Sequence, residues 1–391
     1  MFDIFGLFYY NDFKGGIMKN KYVLAFDIGS SRLRAMVAGK GLNNTFAVKG
    51  YKEIEYDGFY EGEFLNSDKL LAVFSEVIKE FQPYLDKIKK MYIGVPAEFS
   101  SVAVTDMSIN LGERRRVKKD DIDSLYYMAG ETSKNAEVEV VSVSPISFDI
   151  DGRTTLEPVG DFGTNLCGKL SVIYASKVFI DLFNDVAAQL GFQYVEYISD
   201  VLAQAQFILP KEKQDEVSLL IDAGDITTSI AFVQGNGVSA LTSFSRGGGF
   251  ITNDLSEAFE LSIKDAEKLK KQVVLSVKGK PTDCYEIPGE AGNMERIMQS
   301  FANEVVAYRI DELAEVVSKC IQDFSDEHLS YLPIYLTGGG ISKIKGGRDY
   351  LAKCLGRNIT LGVPPLPGQE KPTLASIYSL VAYAINAQDT K

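Results

Sequence analysis

The 391-residue chain carries 41 basic against 53 acidic residues, a formal net charge of −12, and one histidine, His328. That acidity argues against a nucleic-acid-binding surface, since phosphate neutralisation needs clustered Lys and Arg. A single histidine all but excludes a Ser-His-Asp hydrolase or a His-ligated metal site. The length predicts two or three domains, and the hydrophobic and charged contents of 46% and 24% are those of a globular chain. Cys167, Cys284, Cys320 and Cys354 form no Cys-x-x-Cys pair, a usage expected of buried free thiols in a reducing cytosol.

Met1 to Tyr10 is apolar and aromatic but lacks the positive n-region of a signal peptide. Lys14 to Met18 could be encoded by a purine-rich ribosome-binding sequence just ahead of an ATG. Translation is therefore expected to begin at Met18, with residues 1–17 a non-native extension; the competing reading is an apolar anchor resting on a membrane or partner. No uninterrupted apolar run approaches the ~18 residues that a membrane span needs.

Along the chain, a buried-type strand Tyr22 to Phe26 meets Asp27-Ile-Gly-Ser-Ser31 and a second strand, Arg32 to Ala38. Apolar residues at three- and four-residue steps predict one amphipathic helix over Ser67 to Lys90, then the strand Met91 to Val95. From Phe99 to Ala175 the pattern changes to a small α+β insert. It has strand-like runs at Val102 to Ile109, Val138 to Ile150 and Leu170 to Tyr174, and a helix at Asp120 to Ala129. Helices are predicted at Ser176 to Leu190, with Ser176 as N-cap, and at Asp200 to Leu209.

Half a chain after the first turn the pattern repeats: Val217 to Ile221, Asp222-Ala-Gly-Asp-Ile-Thr-Thr228, then Ser229 to Val233. Helical stretches follow at Asn253 to Val274 and Gly292 to Phe324. Then come a strand Pro333 to Leu336, Thr337-Gly-Gly-Gly340, and helices over Ser342 to Leu355 and Thr373 to Asn386, leaving only Ala387 to Lys391.

An Asp-x-Gly-Ser-Ser turn between strands is a physical solution to phosphate binding. Its glycine permits close backbone approach, its amides and hydroxyls can cradle phosphate oxygens, and its Asp can hold Mg²⁺ directly or through water. The bland alternative for one such turn is a structural β-turn. A second similar turn, and a glycine cluster placed between strand and helix, weigh against it.

These three segments, in this order, resemble the two phosphate motifs and the adenosine motif of the actin/DnaK/hexokinase superfamily. Within it the chain resembles the bacterial cell-division protein FtsA family over Lys21 to Asn386. The more specific marks are Ile93-Gly-Val-Pro96, Glu157-Pro-Val-Gly160, Ile251-Thr-Asn-Asp254, Ala266-Glu-Lys-Leu-Lys270 and Thr337 to Gly346. The resemblance implies an actin-like, ribonuclease H-like duplicated, two-lobed α/β fold with a small α+β FtsA-type (SHS2-like) insert. The implied division is 18–98 and 176–215 for the first lobe and 99–175 for the insert. The second-lobe core would be 216–250 and 331–372, its small subdomain 251–330, and 373–391 a helix returning to the first lobe.

It further implies ATP and Mg²⁺ between the halves, with Asp27 and Asp222 around the metal, through water. Gly29, Ser30 and Ser31 would meet the phosphates from one side, and Gly224, Thr227 and Thr228 from the other. Gly247 and Gly248 would join them; Gly338, Gly339 and Gly340 would border the adenosine; and Glu267 and Lys270 would line base and ribose. For the last two, a solvated helix face is the alternative. The implied partners are the FtsZ C-terminal tail, further copies of the chain in dimers or filaments, and other division proteins through the insert, at the inner face of the cell membrane.

Departures from that pattern matter as well. The family's usual Gly-Gly in the second phosphate turn is Asp225-Ile226 here, and its final Asp is Ser229. A β-branched residue resists positive φ, and a carboxylate near a triphosphate repels it, so hydrolysis is expected to be weak or absent. The family's C-terminal amphipathic membrane helix is not found, so membrane contact is expected to be indirect or through another anchor. Arg114-Arg-Arg116 with Lys118 and Lys119 reads as a solvated loop or a docking face. Two alternatives stay open: a PilM-like pilus or secretion scaffold, and a small-molecule kinase of the superfamily with Asp200 as base. His328 is read as a surface residue without a role.

Overall fold

In the computed structural model the residues described are 22–41, 45–132, 135–213, 216–276, 280, 282–288, 294–324 and 331–389. The readings of residues 1–17 and of His328 fall outside them. The chain divides into two compact units, one of residues 1–217, 231–242 and 376–391, the other of 218–230 and 243–375.

The duplicated strand–turn–strand folds as the apolar alternation predicts. β1 (Val23–Ile28) is buried along its whole length and pairs antiparallel with β2 (Arg32–Lys40), which pairs with β3 (Phe46–Glu55). The short hairpin β4 (Phe59–Tyr60) and β5 (Glu63–Phe64) follows. The single helix predicted over Ser67 to Lys90 is broken. After a 3₁₀ turn it forms α1 (Leu70–Glu80), then α2 (Gln82–Leu85), and the chain is extended again by Lys90. Pro83 explains the break, because it lacks an N–H and its ring would clash with the Lys79 carbonyl one turn back. β6 (Lys90–Val95) completes the centre of a five-stranded sheet.

The insert begins with β7 (Ser100–Arg116), much longer than the predicted Val102 to Ile109. α3 (Lys119–Glu131) packs Ile122, Leu125 and Ala129 into a core with Phe148, Leu166 and Leu170. β8 (Val138–Ile150), β9 (Arg153–Thr155) and β10 (Phe162–Ser176) give the antiparallel order β7-β10-β8-β9. The Arg-rich segment is therefore strand, not loop: Arg115 and Arg116 oppose Gly163 and Phe162. Both cations have partners within the insert. Arg115 forks onto Asp121 at 2.7 and 2.8 Å, and Arg116 lies 4.8 Å from the Phe162 ring centroid.

α4 (Lys177–Gln189) starts after Ser176, which sits at the N-cap position without making a side-chain cap bond. β11 (Tyr194–Ser199) runs parallel to β6, giving the order β11-β6-β1-β2-β3. α5 (Asp200–Ile208) is capped by Ser199. Apolar faces of α1 and α4 cover this sheet with aromatic pairs, Phe26 stacked on Phe74 at 4.6 Å and Phe179 tilted against Phe183 at 4.5 Å. Such pairs add ~0.5–1.5 kcal/mol each beyond the area they bury.

The second copy is β12 (Ser218–Ala223) and β13 (Thr228–Gln234), followed by β14 (Gly237–Phe244). The tip between β13 and β14 docks on the insert. Asn236 donates its amide to the Pro145 carbonyl at 2.9 Å, and the Ser171 hydroxyl donates to Val238 O at 2.6 Å. The one helix predicted over Asn253 to Val274 is two, α6 (Gly248–Phe259) and α7 (Ile263–Gln272). Glu260 takes a left-handed φ of 53° between them, and Ser262 caps the second with a bond to the Asp265 amide.

The helix predicted from Gly292 starts later. β15 (Cys284–Pro288) and β16 (Met294–Met298) form a hairpin before α8 (Gln299–Phe324). β17 (Ile334–Thr337) pairs parallel with β12, and after α9 (Gly347–Leu355) comes β18 (Ile359–Leu361), for a sheet order β14-β13-β12-β17-β18. The helix predicted from Ser342 thus begins only at Gly347, so the glycine cluster leads into turns rather than a helix N-terminus. Gly346, in the left-handed region at φ 80°, resets the chain direction there. α10 (Ala375–Asp389) closes the fold. The four thiols are free but none is buried, and Cys167 and Cys354 are exposed.

Candidate functional site

Both turns of the duplication close the same way. Gly29 donates its amide to Arg32 O at 3.0 Å, and Gly224 donates to Thr227 O at 2.9 Å. Each glycine N–H is therefore spent inside its own turn and is no donor for a phosphate. Asp225 and Ile226 cause no strain, since neither has positive φ. The second turn accommodates them in a geometry that never asks for glycine there.

The first turn is braced by side chains. Tyr56 OH donates to Gly29 O at 2.8 Å, and the Tyr56 and Phe59 amides bond to Ser31 O and Ser30 O. Gly58, at φ 74°, lets this brace approach; a Cβ there would lie 1.8 Å from Ser30 O. Ser30 is buried and Ser31 half-buried. Asp27, 3% exposed, receives Arg34 Nη1 on one carboxylate oxygen at 3.1 Å and the Ser376 hydroxyl on the other at 3.0 Å. Arg34 Nε then donates to Glu53 at 2.8 Å, and Tyr51 and Arg32 reach the same carboxylate. Burial opposes the charge on Arg34, but Asp27 and Glu53 outweigh it and hold the guanidinium well above its ordinary pKa. Burial likewise raises Glu53, yet Arg34, the Tyr51 hydrogen bond and Arg32 bring its carboxyl below the usual value of 4.5.

In the other unit, three segments meet backbone to backbone. Gly248 N donates to Gly224 O at 2.9 Å, Gly249 N to Asp225 O at 2.7 Å and Gly340 N to Ala223 O at 2.7 Å. A Cβ on Gly340 would lie 2.3 Å from Gly224 O, and one on Gly248 2.6 Å from the Gly340 Cα. Gly338, at φ 79°, would press a Cβ to 2.4 Å from Asp222 Oδ1. These glycines are thus required by one another. Gly339 differs, meeting only the side chains of Thr373 and Lys343. Thr228 is buried and its hydroxyl donates to Arg246 O at 2.7 Å, so its contribution is to turn geometry; Thr227 is half-buried.

Glu267 and Lys270 come together, but on this junction. The Lys270 ammonium, 7% exposed, donates to Gly248 O at 2.9 Å and Thr252 Oγ1 at 2.6 Å and pairs with Glu267 at 2.6 Å. Burial raises Glu267, but its hydrogen bond to Lys270 and that charge bring it below its ordinary value. The predicted solvated face is excluded for Lys270. A small, shallow pocket is lined in part by Ala223, Thr228 and Gly247. Arg309, on its wall, forks onto Asp254 and also reaches Glu312 at 2.8 Å.

A Mg²⁺ held by Asp27 does not fit this arrangement. Both oxygens already accept hydrogen bonds, and among the described residues no group of three or more His, Cys, Asp or Glu could hold a metal. Reasoning from the sequence missed Arg34, Glu53, Tyr56 and Ser376. The first two were signalled by charge on consecutive strands, since Asp27 opposes Arg34 and Arg34 opposes Glu53 in register; nothing local announced Ser376, 349 residues away.

A sequence profile described as "Cell division protein FtsA" matches residues 219–379, and one described as "SHS2 domain inserted in FTSA" matches 100–174. The chain belongs to the FtsA family. The FtsA of Enterococcus hirae is 22% identical over 95% of this chain and 85% of its own length. By structure, this FtsA-family chain is similar to the PilM–PilN type IV pilus biogenesis complex, with TM-score 0.61 and 16% identity over 94% of this chain and 98% of that one. It is also similar to MreB5 of Spiroplasma citri bound to AMPPNP, with TM-score 0.56 and 12% identity over 93% and 95% of the chains. At such identities these structures establish the fold alone: actin-like, two-lobed α/β with an SHS2 insert. The chain is thus an FtsA-family, actin-like protein of cell division.

Proposed function

We propose that this chain is a nucleotide-binding scaffold of the bacterial division apparatus that links FtsZ filaments to other division proteins. The observation that carries this reading is the insert: a β7-β10-β8-β9 sheet with one covering helix, matched by the FtsA-specific SHS2 description at residues 100–174. The ligand proposed is ATP, in keeping with the AMPPNP bound to the MreB5 of like fold. The residues proposed for its phosphate and adenosine contacts are Gly29, Ser30 and Ser31 in the first turn and Gly224, Thr227, Gly247 and Gly338 to Gly340 in the glycine junction, with Thr228, Glu267 and Lys270 holding the latter. Asp225 beside the phosphates disfavours rapid hydrolysis. Nucleotide then acts by biasing a conformational equilibrium that self-association and partner binding read.

The proposed setting is the cytoplasmic face of the membrane at the division site. No helix among the described residues is long and apolar enough to cross a membrane. Fluorescence anisotropy with a labelled FtsZ C-terminal tail peptide tests the link. Saturable binding that a scrambled peptide lacks is expected; no binding, with capture of a PilN-type segment instead, would replace this reading by a pilus scaffold.

A further inference from the structure

The first phosphate turn carries its own cation. Arg34 follows Asp27 directly across the β1–β2 register, and its guanidinium stands 3.1 Å from the carboxylate and 3.8 Å from where a Gly29 Cβ would be. It is held in place: Nε is fixed by Glu53 at 2.8 Å, and Asp27 is fixed from its other side by Ser376. The side chains of Arg34 and Asp27 are 18% and 5% exposed, so this ion pair is shielded from solvent. A carboxylate so engaged has little capacity left to orient the hydration shell of a divalent ion, which demands near-ideal octahedral geometry. A guanidinium beside the glycine turn, in contrast, is a permanent charge with a planar donor fork suited to phosphate oxygens.

We propose that Arg34 takes the place of the divalent cation at Asp27, so that this turn accepts the phosphates of a nucleoside triphosphate without Mg²⁺. The inference rests on the nucleotide-binding reading above and makes it more specific. Arg34 neutralises Asp27, which would otherwise repel a phosphate, and supplies the hydrogen-bonding cation from the protein itself.

The test is calorimetric titration of ATP into the full chain with excess Mg²⁺ and, separately, with EDTA, on wild type, Arg34→Ala and Arg34→Lys. Wild type is expected to bind equally well in both, within ~3-fold. Arg34→Ala is expected to lose ~10-fold in EDTA, equivalent to ~1.4 kcal/mol, and to regain affinity when Mg²⁺ is added, because Asp27 is released. Arg34→Lys keeps the charge and should remain Mg²⁺-independent; circular dichroism confirms that each variant is folded. As a second readout, the electron paramagnetic resonance spectrum of Mn²⁺ with ATP should show a protein-bound metal only in Arg34→Ala. If wild type loses ~10-fold or more in EDTA, to the same extent as Arg34→Ala, the inference falls while the nucleotide reading stands. If wild type binds no ATP in either buffer, both are overturned.

Discussion

The two turns of the duplication share one closing hydrogen bond and are supported by opposite means. The first is held by side chains: Asp27, Arg34, Glu53, Tyr56 and Ser376 form a charged and hydroxyl-bearing brace. The second is held chiefly by main chain, in a junction of segments 222–225, 247–249 and 338–340 where a Cβ on Gly248, Gly338 or Gly340 does not fit, with the Lys270–Glu267 pair bonded to its edge at Gly248 O. The same local solution can therefore be stabilised either by electrostatics, which pH and salt can alter, or by close approach, which hardly feels them.

Steric substitution should break the second turn most severely. Gly340→Ala sets a Cβ 2.3 Å from Gly224 O and is expected to cost ~3 kcal/mol or more, against under ~1 kcal/mol for Gly339→Ala, whose neighbours are movable side chains. Denaturant midpoints of the two variants compare them, and equal losses would remove the distinction between junction and border glycines.

Arg34→Met attacks the first turn. Leaving Asp27 buried and uncompensated should cost ~2 kcal/mol, below the ~3–5 kcal/mol of a fully buried pair because Arg34 keeps some solvent contact. Adding Asp27→Asn should recover part of that loss, and strict additivity in the double-mutant cycle would mean that the pair is not coupled.

A smaller effect probes the first turn by pH. Glu53 has its pKa lowered in the folded state, so the unfolded chain binds the proton more readily. Its contribution is fully present above the ordinary value of 4.5 and is lost as pH falls through the folded value. Thermal melts from pH 6 downward should show wild type losing stability through this window more steeply than Glu53→Gln. Parallel curves would place the acid sensitivity elsewhere. Least of all, Asp225→Gly should move stability by no more than ~0.5 kcal/mol, since Asp225 is exposed and unstrained; a larger change would contradict the unstrained geometry of that turn.

Much of this was readable in sequence, because periodic burial and glycine spacing are local signals. β8 was anticipated to the residue, and both turns lay where Asp27 and Asp222 marked them. The helices went wrong where a single residue overrode a continuing apolar rhythm: Pro83 in one case, the left-handed Glu260 with the cap Ser262 in the other. Arg114 to Arg116 looked like loop because charge hides the alternation of a strand end. At the site, glycines identified the turns correctly but for an incomplete reason, as several answer to each other's backbone. The ion network needed strand register, and Ser376 needed tertiary structure, neither of which spacing along the chain encodes.

The glycine junction also sets how this part of the molecule opens. The amides of Gly248, Gly249 and Gly340 join stretches more than a hundred residues apart at the extremes, and freeing these cross-segment bonds parts the stretches together. Their protons should accordingly exchange with deuterium as one cooperative group, governed by a single opening free energy rather than by the fraying of separate loops.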